Sequence, residues 1–319
     1  MSELLLIEQR WGRNDDAPWV VEGGRRVAGQ EHNRRLAAVG AGLLRHGGVR
    51  RDAADADDAL LERVLSALHD PDYLRTLRGV RSAEPVLLQG LAAPGIEPDI
   101  PVSAGLVAAA HESVRTAITA AQRLLAGERY TYALGRPPGH HAGPAWFGGY
   151  CYLNTSAAAA RTLSEGGLRP VGILDLDLHY PNGTSVIVAP WPEVRLHSLH
   201  AWPVPHAPTS EVLPRTERER LVEFRAAPAL GEYLEALAAS LDELTDTCAA
   251  LVLSLGYDTL RGDPHGSWTF APEDYAEIGR LVADSGLPVC VVQEGGYALA
   301  ELAACSHAFV RGLLDGGER

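Results

Sequence analysis

Short apolar runs recur along the chain and alternate with segments of helical spacing. Such runs favour buried β-strands, because a parallel strand that is covered on both faces is apolar throughout. They occupy Tyr132–Leu134, Val171–Leu174, Val194–Leu199, Ala250–Leu255 and Pro288–Val292. Helix-compatible segments separate several of them at Thr155–Ser164, Gly231–Thr247 and Pro272–Asp284. The alternation predicts an α/β fold with a central parallel sheet flanked by helices.

A further helix is predicted before the first of these runs. Ser103 is a suitable N-cap, apolar residues follow at helical spacing up to Leu125, and Gly127 ends the pattern. Two stretches, 84–101 and 201–214, each carry four prolines. Proline cannot donate to a strand ladder, so both stretches are predicted to be long loops.

Length and composition are those of an ordinary globular chain. The 319 residues are 46% hydrophobic and 22% charged, and we expect them to form one domain over 1–319. No apolar run reaches the ~18 residues that a membrane span needs, and the N-terminus does not resemble a signal peptide. We therefore expect a cytoplasmic protein that binds no membrane. Composition leaves homo-oligomer formation open.

The charged residues and cysteines limit which partners and which catalytic chemistries the chain can have. With 28 basic and 41 acidic residues, the net charge of −13 argues against a nucleic-acid partner and weakly favours small cations. Every basic residue is arginine, which excludes a P-loop and a pyridoxal Schiff base, since both need lysine. Four widely spaced cysteines are interpreted as reduced, mostly buried thiols: Cys151, Cys248, Cys290 and Cys305.

Polar side chains that could carry chemistry cluster at one end of each predicted strand. In chain order the clusters are Arg136–His141, Asp175–His179, His197–His200, Gly256–Asp258 with Gly262–Asp263, and Glu294–Tyr297. Ligands of open α/β sheets bind beyond the carboxyl ends of the strands. The sequence therefore predicts one composite site.

Asp177 and His179 have the spacing of two ligands of one metal ion. Residues two apart at a strand end point the same way, and a carboxylate with an imidazole suits Zn²⁺ or Fe²⁺. Asp263, on a Gly-Asp-Pro turn, is the predicted third ligand. An isolated Asp-X-His is more often a salt-bridged pair, but the clusters at the other strand ends favour the metal interpretation.

Four further residues are candidates for acid–base and transition-state roles. His140 and His141 follow a rigid Pro-Pro-Gly and are interpreted as an acid–base pair; the alternative is one buried and one exposed histidine. Tyr297, after two glycines, can bring its hydroxyl close to a substrate, or else it packs on the rim. Asp175 can orient an imidazole, or else it bonds to backbone.

Taken together, these motifs resemble the histone deacetylase superfamily. The matching segments, in the family's order, are Arg136–Ala142 (RPPGHHA), Gly148–Asn154 (GGYCYLN), Asp175–His179 (DLDLH), Ser198–His200 (SLH), Gly262–Pro264 (GDP) and Glu294–Tyr297 (EGGY). Weaker matches lie upstream at Glu31–Leu36 and Leu68–Leu74. The GGYC and EGGY spellings are similar to those of bacterial acetylpolyamine amidohydrolases and class II deacetylases.

The resemblance implies a single arginase/deacetylase-like domain and a set of residue roles. It implies zinc on Asp177, His179 and Asp263, and a structural K⁺ or Na⁺. The roles that it implies are general base and acid for His141, electrostatic partner for His140 with Asp175, oxyanion donor for Tyr297, substrate contacts for Gly149, Tyr150 and Asp99, and monovalent-cation ligands for Asp175, Asp177, His179, Ser198 and Leu199.

Three positions depart from the family pattern. Asn182 stands where class I deacetylases place the aspartate that orients the second histidine, and asparagine is common in the polyamine and class II branches. Tyr180-Pro181 replaces the usual His-Gly. Ala207 falls where a tunnel phenylalanine is frequent, which leaves Tyr150 as the one aromatic wall and suggests a wider acyl pocket.

The function that follows is a zinc-dependent amidohydrolase acting on N-acyl amines. Small acetylated polyamines are the expected substrates, and acyl-lysine proteins are the alternative. Glu84, Glu97 and Asp99 could form an acidic mouth that favours polyamines, or could be a solvated loop face. A non-catalytic acyl-ligand-binding protein disagrees with the complete set of site positions, and a two-metal ureohydrolase needs more ligands than the sequence offers.

Overall fold

A parallel sheet of eight strands forms the centre of the computed structural model, which describes residues 3–10, 16–93, 98–202 and 216–316. The strands of this sheet are β1 (Leu4–Glu8), β4 (Val49–Ala53), β5 (Tyr130–Leu134), β6 (Val171–Asp175), β7 (Val194–Ala201), β8 (Glu219–Phe224), β9 (Ala250–Leu255) and β10 (Val289–Gln293). Their spatial order is β4-β1-β5-β10-β9-β6-β7-β8, and every pairing is parallel. A separate antiparallel hairpin pairs β2 (Trp19–Glu22) with β3 (Arg25–Ala28).

Helices cover both faces of the sheet. They are α1 (Arg34–Leu43), α2 (Asp58–Leu68), α3 (Pro71–Gly79), α4 (Ala104–Leu125), α5 (Thr155–Glu165), α6 (Asn182–Val188), α7 (Leu230–Thr247), α8 (Tyr275–Asp284) and α9 (Leu302–Asp315), with a 3₁₀ turn at Pro272–Asp274. The core beneath α2 to α6 is one apolar cluster, and the core beneath α1 and α7 to α9 is a second.

Alternating side chains of the strands divide between these two cores. Val252 packs into the first cluster, whereas its neighbours Leu251 and Leu253 pack into the second. Successive residues of a strand point to opposite faces, so a strand buried on both faces must be apolar at every position. This is the physical origin of the continuous apolar runs in the sequence.

The predicted fold class is confirmed, and the predicted elements lie within two residues of the observed ends. The helix predicted after Ser103 is α4, and the Ser103 hydroxyl accepts the Leu106 N–H at 3.2 Å. The segment predicted as one helix over Pro272–Asp284 is a 3₁₀ turn that continues into α8. The extent of the domain, 1–319, stays a prediction.

The carboxyl ends of four neighbouring strands meet at the middle of the sheet. These strands are β5, β10, β9 and β6, in that spatial order. Each of them leads into one of the polar clusters found in the sequence.

All four cysteines are buried free thiols. No described helix is long and apolar enough to cross a membrane.

Candidate active site

A cavity of about 1010 Å³ opens above the carboxyl ends of the four central strands. Each strand contributes at least one lining residue: His141 follows β5, Asp177 follows β6, Asp258 follows β9, and Tyr297 follows β10. The structure thus brings together residues that lie up to 156 positions apart, from His141 to Tyr297. The cavity is also lined by the β2–β3 hairpin through Val20, Glu22 and Gly23.

Three side chains of ligand type form a tight cluster on the wall of this cavity. Ligand atoms of Asp177, His179 and Asp258 lie within 4.8 Å of one another. His179 Nδ1 is 3.1 Å from Asp177 Oδ1 and 3.0 Å from Asp258 Oδ2. A Cβ built on Gly295 would lie 2.6 Å from Asp177 Oδ2, so only glycine lets this loop pass so close to the cluster.

The pKa values of the cluster residues are shifted in directions that favour the binding of a cation. Burial, reinforced by the neighbouring Asp177 carboxylate, raises the pKa of Asp258 to about 7. Although burial disfavours its charged form, the two carboxylates raise the pKa of His179 to about 10. Two buried carboxylates and one imidazole that faces both of them are the donor set of a Zn²⁺ or Fe²⁺ site, and these residues fit such an ion.

The structure places Asp258, and not the predicted Asp263, in the ligand-type cluster with Asp177 and His179. The Asp263 carboxylate is instead committed to backbone: Oδ2 accepts the N–H groups of Tyr297 at 2.6 Å and Ala298 at 3.0 Å, and Oδ1 accepts that of His265 at 3.0 Å. Asp263 therefore braces the Tyr297 loop. Asp258 directly follows the strand-end pair Gly256-Tyr257, and that proximity to β9 was the signal in the sequence.

The two adjacent histidines have different partners and opposite protonation. His140 Nδ1 lies 3.3 Å from Asp175 Oδ2, and Asp177 followed by Asp175 raises the pKa of His140 to about 10 despite burial. His141 Nδ1 lies 2.7 Å from the neutral amide oxygen of Asn182. Burial and the charge of His140 hold the pKa of His141 well below its ordinary value. The surroundings of His140 thus favour its protonated form, and those of His141 favour its neutral form.

The hydrogen bond to Asn182 also selects the tautomer of His141. The amide oxygen accepts the Nδ1–H, so Nε2 carries the lone pair. Asn182 is the first residue of α6 and is buried. The two imidazole centroids are 4.1 Å apart, and that of His141 is 5.8 Å from the ring of His179 in the ligand cluster. The base therefore lies next to the ligand cluster.

Tyr297 and Tyr150 form an aromatic wall of the cavity with His265. Their ring centroids are 5.4 Å apart, and His265 lies 4.8 Å from Tyr297 and 5.5 Å from Tyr150. Burial raises the pKa of Tyr297 well above its ordinary value, so its hydroxyl keeps its proton and can donate. Tyr150 holds a left-handed φ of 66°, next to Gly149 at 54°. A side chain on Gly149 would meet the ring of His141.

The three residues predicted to contact the substrate, Gly149, Tyr150 and Asp99, line this cavity. Asp99 Oδ2 accepts the Gly149 N–H at 2.8 Å, and burial raises the pKa of Asp99. Glu84 is exposed and does not belong to the described lining of the cavity. Glu97 and the predicted tunnel position, Ala207, lie outside the described residues.

The residues predicted to bind a monovalent cation lie at the carboxyl ends of β6 and β7. Asp175 and Ser198 are register partners across the two strands. Asp175 Oδ1 accepts the Asp177 N–H at 3.1 Å, and the Ser198 hydroxyl is 2.9 Å from His200 Nδ1. Asp175 therefore contacts both an imidazole and backbone, which were the two alternatives considered for it.

A second ligand-type group, formed by His140, Cys151 and Glu294, does not fit a metal. Burial raises the pKa of the Cys151 thiol well above its ordinary value, which opposes a thiolate ligand. The Glu294 oxygens already accept backbone N–H and hydroxyl donors.

Sequence reasoning missed a buried ion network behind the cavity. Glu31 bonds to both Arg35 and Arg136, and all three side chains are at most 2% exposed. Arg35 also donates to the Gly296 carbonyl at 2.6 Å, and its guanidinium stacks 4.5 Å from the Tyr297 ring centroid. Glu31 and Arg35 lie in the segment that resembles the family's early motif, which was the available signal.

Comparison with known protein families gives one match over most of the chain. Residues 29–313 match the model described as the histone deacetylase domain. A solved structure titled as an acetylpolyamine aminohydrolase from Burkholderia pseudomallei superposes with a TM-score of 0.81 at 28% identity, covering 98% of both chains.

Two curated relatives carry related names. The acetylpolyamine amidohydrolase of Mycoplana ramosa is 37% identical over 210 residues, 63% of this chain. Acetylpolyamine amidohydrolase 1 of Pseudomonas aeruginosa is 35% identical over 224 residues, 67% of this chain. The aligned stretches span 61% and 65% of these relatives, which is less than two thirds of their length.

Proposed function

This chain belongs to the histone deacetylase family, and from that membership we propose that it is a metal-dependent amidohydrolase that removes acyl groups from small cationic amines. One observation carries the proposal. A ligand cluster of two carboxylates and an imidazole adjoins a neutral histidine whose Nε2 bears the lone pair. A metal ion that acts as a Lewis acid beside a general base is an established arrangement for hydrolysing an unactivated amide.

Asp177, His179 and Asp258 would hold the metal. A bound Zn²⁺ or Fe²⁺ supplies a Lewis acid for the amide carbonyl and for the attacking water. The Leu178 N–H donates to Asp258 Oδ1 at 3.0 Å, and the Gly295 N–H donates to Asp177 Oδ2 at 2.9 Å. These donors hold both carboxylates in place. At the carboxyl ends of β6 and β7, Asp175 and Ser198 would help to hold a separate structural ion, K⁺ or Na⁺.

The remaining residues of the site transfer protons or stabilise the charge that develops on the substrate. His141 Nε2 takes a proton from the attacking water and returns it to the leaving amine, while Asn182 keeps the ring oriented. His140, cationic between Asp175 and Asp177, favours the negative charge that develops on the substrate. The Tyr297 hydroxyl, which keeps its proton, donates to the developing oxyanion.

Recognition of a cationic amine is supported by charge at the cavity and by the relatives. Asp99 lines the cavity and is tied to Gly149, and Glu22 lines it from the hairpin. Both curated relatives are named for acetylpolyamines. The net charge of −13 acts in the same direction. Acetylated polyamines are therefore the proposed substrates, and acyl-lysine proteins are the second candidate.

A substrate panel tests the function. The metal-loaded protein is assayed for kcat/KM on acetylated polyamines, acetyl-lysine peptides and folded acetylated proteins, at low and high salt. We expect the polyamines to be preferred and their kcat/KM to fall with salt, because exposed attraction is screened over about 8–10 Å. Much greater activity on folded acetylated proteins than on every polyamine would contradict the substrate assignment, and inactivity on all three classes would contradict the reaction.

A further inference from the structure

A buried carboxylate outside the ligand cluster links two loops of the site. Glu294 follows β10 and is fully buried. Its Oε2 accepts the backbone N–H groups of Gly139 at 2.7 Å and His140 at 3.2 Å. Its Oε1 accepts the hydroxyls of Ser156 at 2.9 Å and Thr155 at 3.4 Å. One side chain thus ties the loop after β10 to the loop after β5 and to the start of α5.

Polar donors surround this carboxylate. Two backbone N–H groups and two hydroxyls converge on its oxygens at the N-terminus of α5, although burial raises the pKa of Glu294 to about 7. The contact is also tight: a Cβ built on Gly139 would lie 2.2 Å from Thr155 Oγ1. The Gly139–His140 backbone is therefore confined between Glu294 and α5.

The backbone at His140 determines where both imidazoles point. His140 and His141 are adjacent, and their rings reach Asp175 and Asn182 respectively. Glu294 itself starts the segment that carries Tyr297, three residues later. A shift of the β5 loop relative to the β10 loop would separate the base from the oxyanion donor. Displacements of about 1 Å at a reacting centre can cost roughly 10²-fold in rate.

We propose that Glu294 is a positioning residue. By accepting the N–H groups of Gly139 and His140, its side chain fixes the His140–His141 backbone relative to Tyr297. This inference rests on the proposed function only in assigning acid–base work to the imidazoles. The geometric link itself is independent of the reaction.

Three variants separate geometry from charge. In Glu294→Gln the amide oxygen can stay on the two N–H groups, while the NH₂ group turns to Ser156, whose hydroxyl can rotate to accept it. Glu294→Asp keeps the carboxyl group but is one methylene shorter, so its oxygens cannot reach both sets of donors. Glu294→Leu leaves the two N–H groups buried without an acceptor.

The kinetic expectation follows from those contacts. Per folded, metal-loaded molecule, Glu294→Asp and Glu294→Leu should lower kcat by about 10²-fold, and Glu294→Gln by less than about tenfold. KM should change less than kcat, because Asp99 at the cavity lies on the connection between α3 and α4, away from the donors that Glu294 accepts. Ile278→Ala, in α8 on the other side of the sheet, is the stability control, and its kcat per folded molecule should equal that of the parent.

Amide hydrogen exchange at Gly139 and His140 gives a readout that needs no substrate. Protection should be lost in Glu294→Asp and Glu294→Leu and kept in Glu294→Gln. If Leu prevents folding, the Asp and Gln variants decide. A Gln variant that is slower than the Asp variant, or kcat losses with unchanged protection, would overturn the inference. If the parent hydrolyses no acylated amine, the proposed function fails and the exchange data alone decide this link.

Discussion

Substituting Glu31 with glutamine should cost more stability than any surface change, because Glu31 is the shared counter-charge of two buried guanidinium groups. Arg136 is fully buried and Arg35 is 2% exposed. The Glu31 carboxylate contacts Arg136 Nε at 2.8 Å and Arg35 Nη1 at 3.1 Å. Glu31→Gln keeps the shape of the side chain and removes its charge.

The expected loss is about 3–5 kcal/mol, the range found when one partner of a buried ion pair is removed. Arg35 keeps two backbone carbonyls, and Asp16, which lies 3.6 Å from Arg136, has a side chain that is 52% exposed. Against a typical total of 5–15 kcal/mol, the variant would retain a fraction of the parent's stability.

Urea unfolding of the metal-loaded protein measures the difference, with Glu128→Gln as the control. Glu128 pairs with Arg50 at the surface, where side chains are 28% and 49% exposed, and its loss should cost no more than about 1 kcal/mol. The midpoint of Glu31→Gln should fall with an unchanged slope. A loss as small as that of the control would refute the reasoning, since the guanidinium groups would then be stable without Glu31.

The pH dependence of the same variant has a determined sign. Although burial opposes ionisation, Arg136 and then Arg35 hold the pKa of Glu31 below its ordinary value of 4.5. A carboxylate whose pKa is lower in the folded state stabilises the protein fully above its unfolded pKa, and this contribution is lost as pH falls through the folded pKa. The stability gap between parent and Glu31→Gln should therefore be complete at neutral pH and shrink below about pH 4.5.

Three further predictions concern the site itself. Asp258→Asn should lose metal and activity, whereas Asp263→Asn should keep the metal and lose activity through the Tyr297 loop; elemental analysis that shows the reverse would restore Asp263 as the ligand. Tyr297→Phe should keep the metal and lower kcat by roughly 10²–10³-fold, and a rise in KM alone would assign the hydroxyl to ground-state binding. The parent should hydrolyse propionyl and acetyl substrates at comparable rates, and Ala207→Phe should restore a preference for acetyl; a steep drop beyond acetyl in both proteins would show that another side chain closes the tunnel.

The sequence predicted the central strands and missed those at the edges, for a physical reason. Strands covered on both faces are continuous apolar runs, as in β9. The edge strand β4, Val49–Ala53, contains two arginines and an aspartate, and the other edge, β8, is half-buried along most of its length. Edge strands that are partly solvated carry charges, so the apolar-run criterion does not detect them. The apolar run of β1, Leu4–Glu8, met the criterion but was not recognised.

At the site, residue types were predictable and the choice between two nearby aspartates was not. Asp258 and Asp263 both follow β9, and both have the carboxylate that a ligand needs. Their roles are decided by the turn between them, which closes with Asp263 N–H on the Leu260 carbonyl at 3.2 Å and Gly262 at a left-handed φ of 82°. That turn directs Asp263 to the Tyr297 backbone. Spacing shows that Asp258 is nearer to β9, but it does not show where the turn directs each carboxylate.

The arrangement of donors indicates why a metal could enter this site with little rearrangement. Asp177 accepts the N–H groups of His179 and Gly295, and Asp258 accepts that of Leu178, so both carboxylates are held by backbone. Backbone donors move only if their loops move, and the loops leave the central strands of the sheet. Ligands held by such supporting hydrogen bonds keep their orientation before the ion arrives. Folding brings the two carboxylates together, and a bound cation would offset both the burial and the neighbouring Asp177 charge that raise the pKa of Asp258.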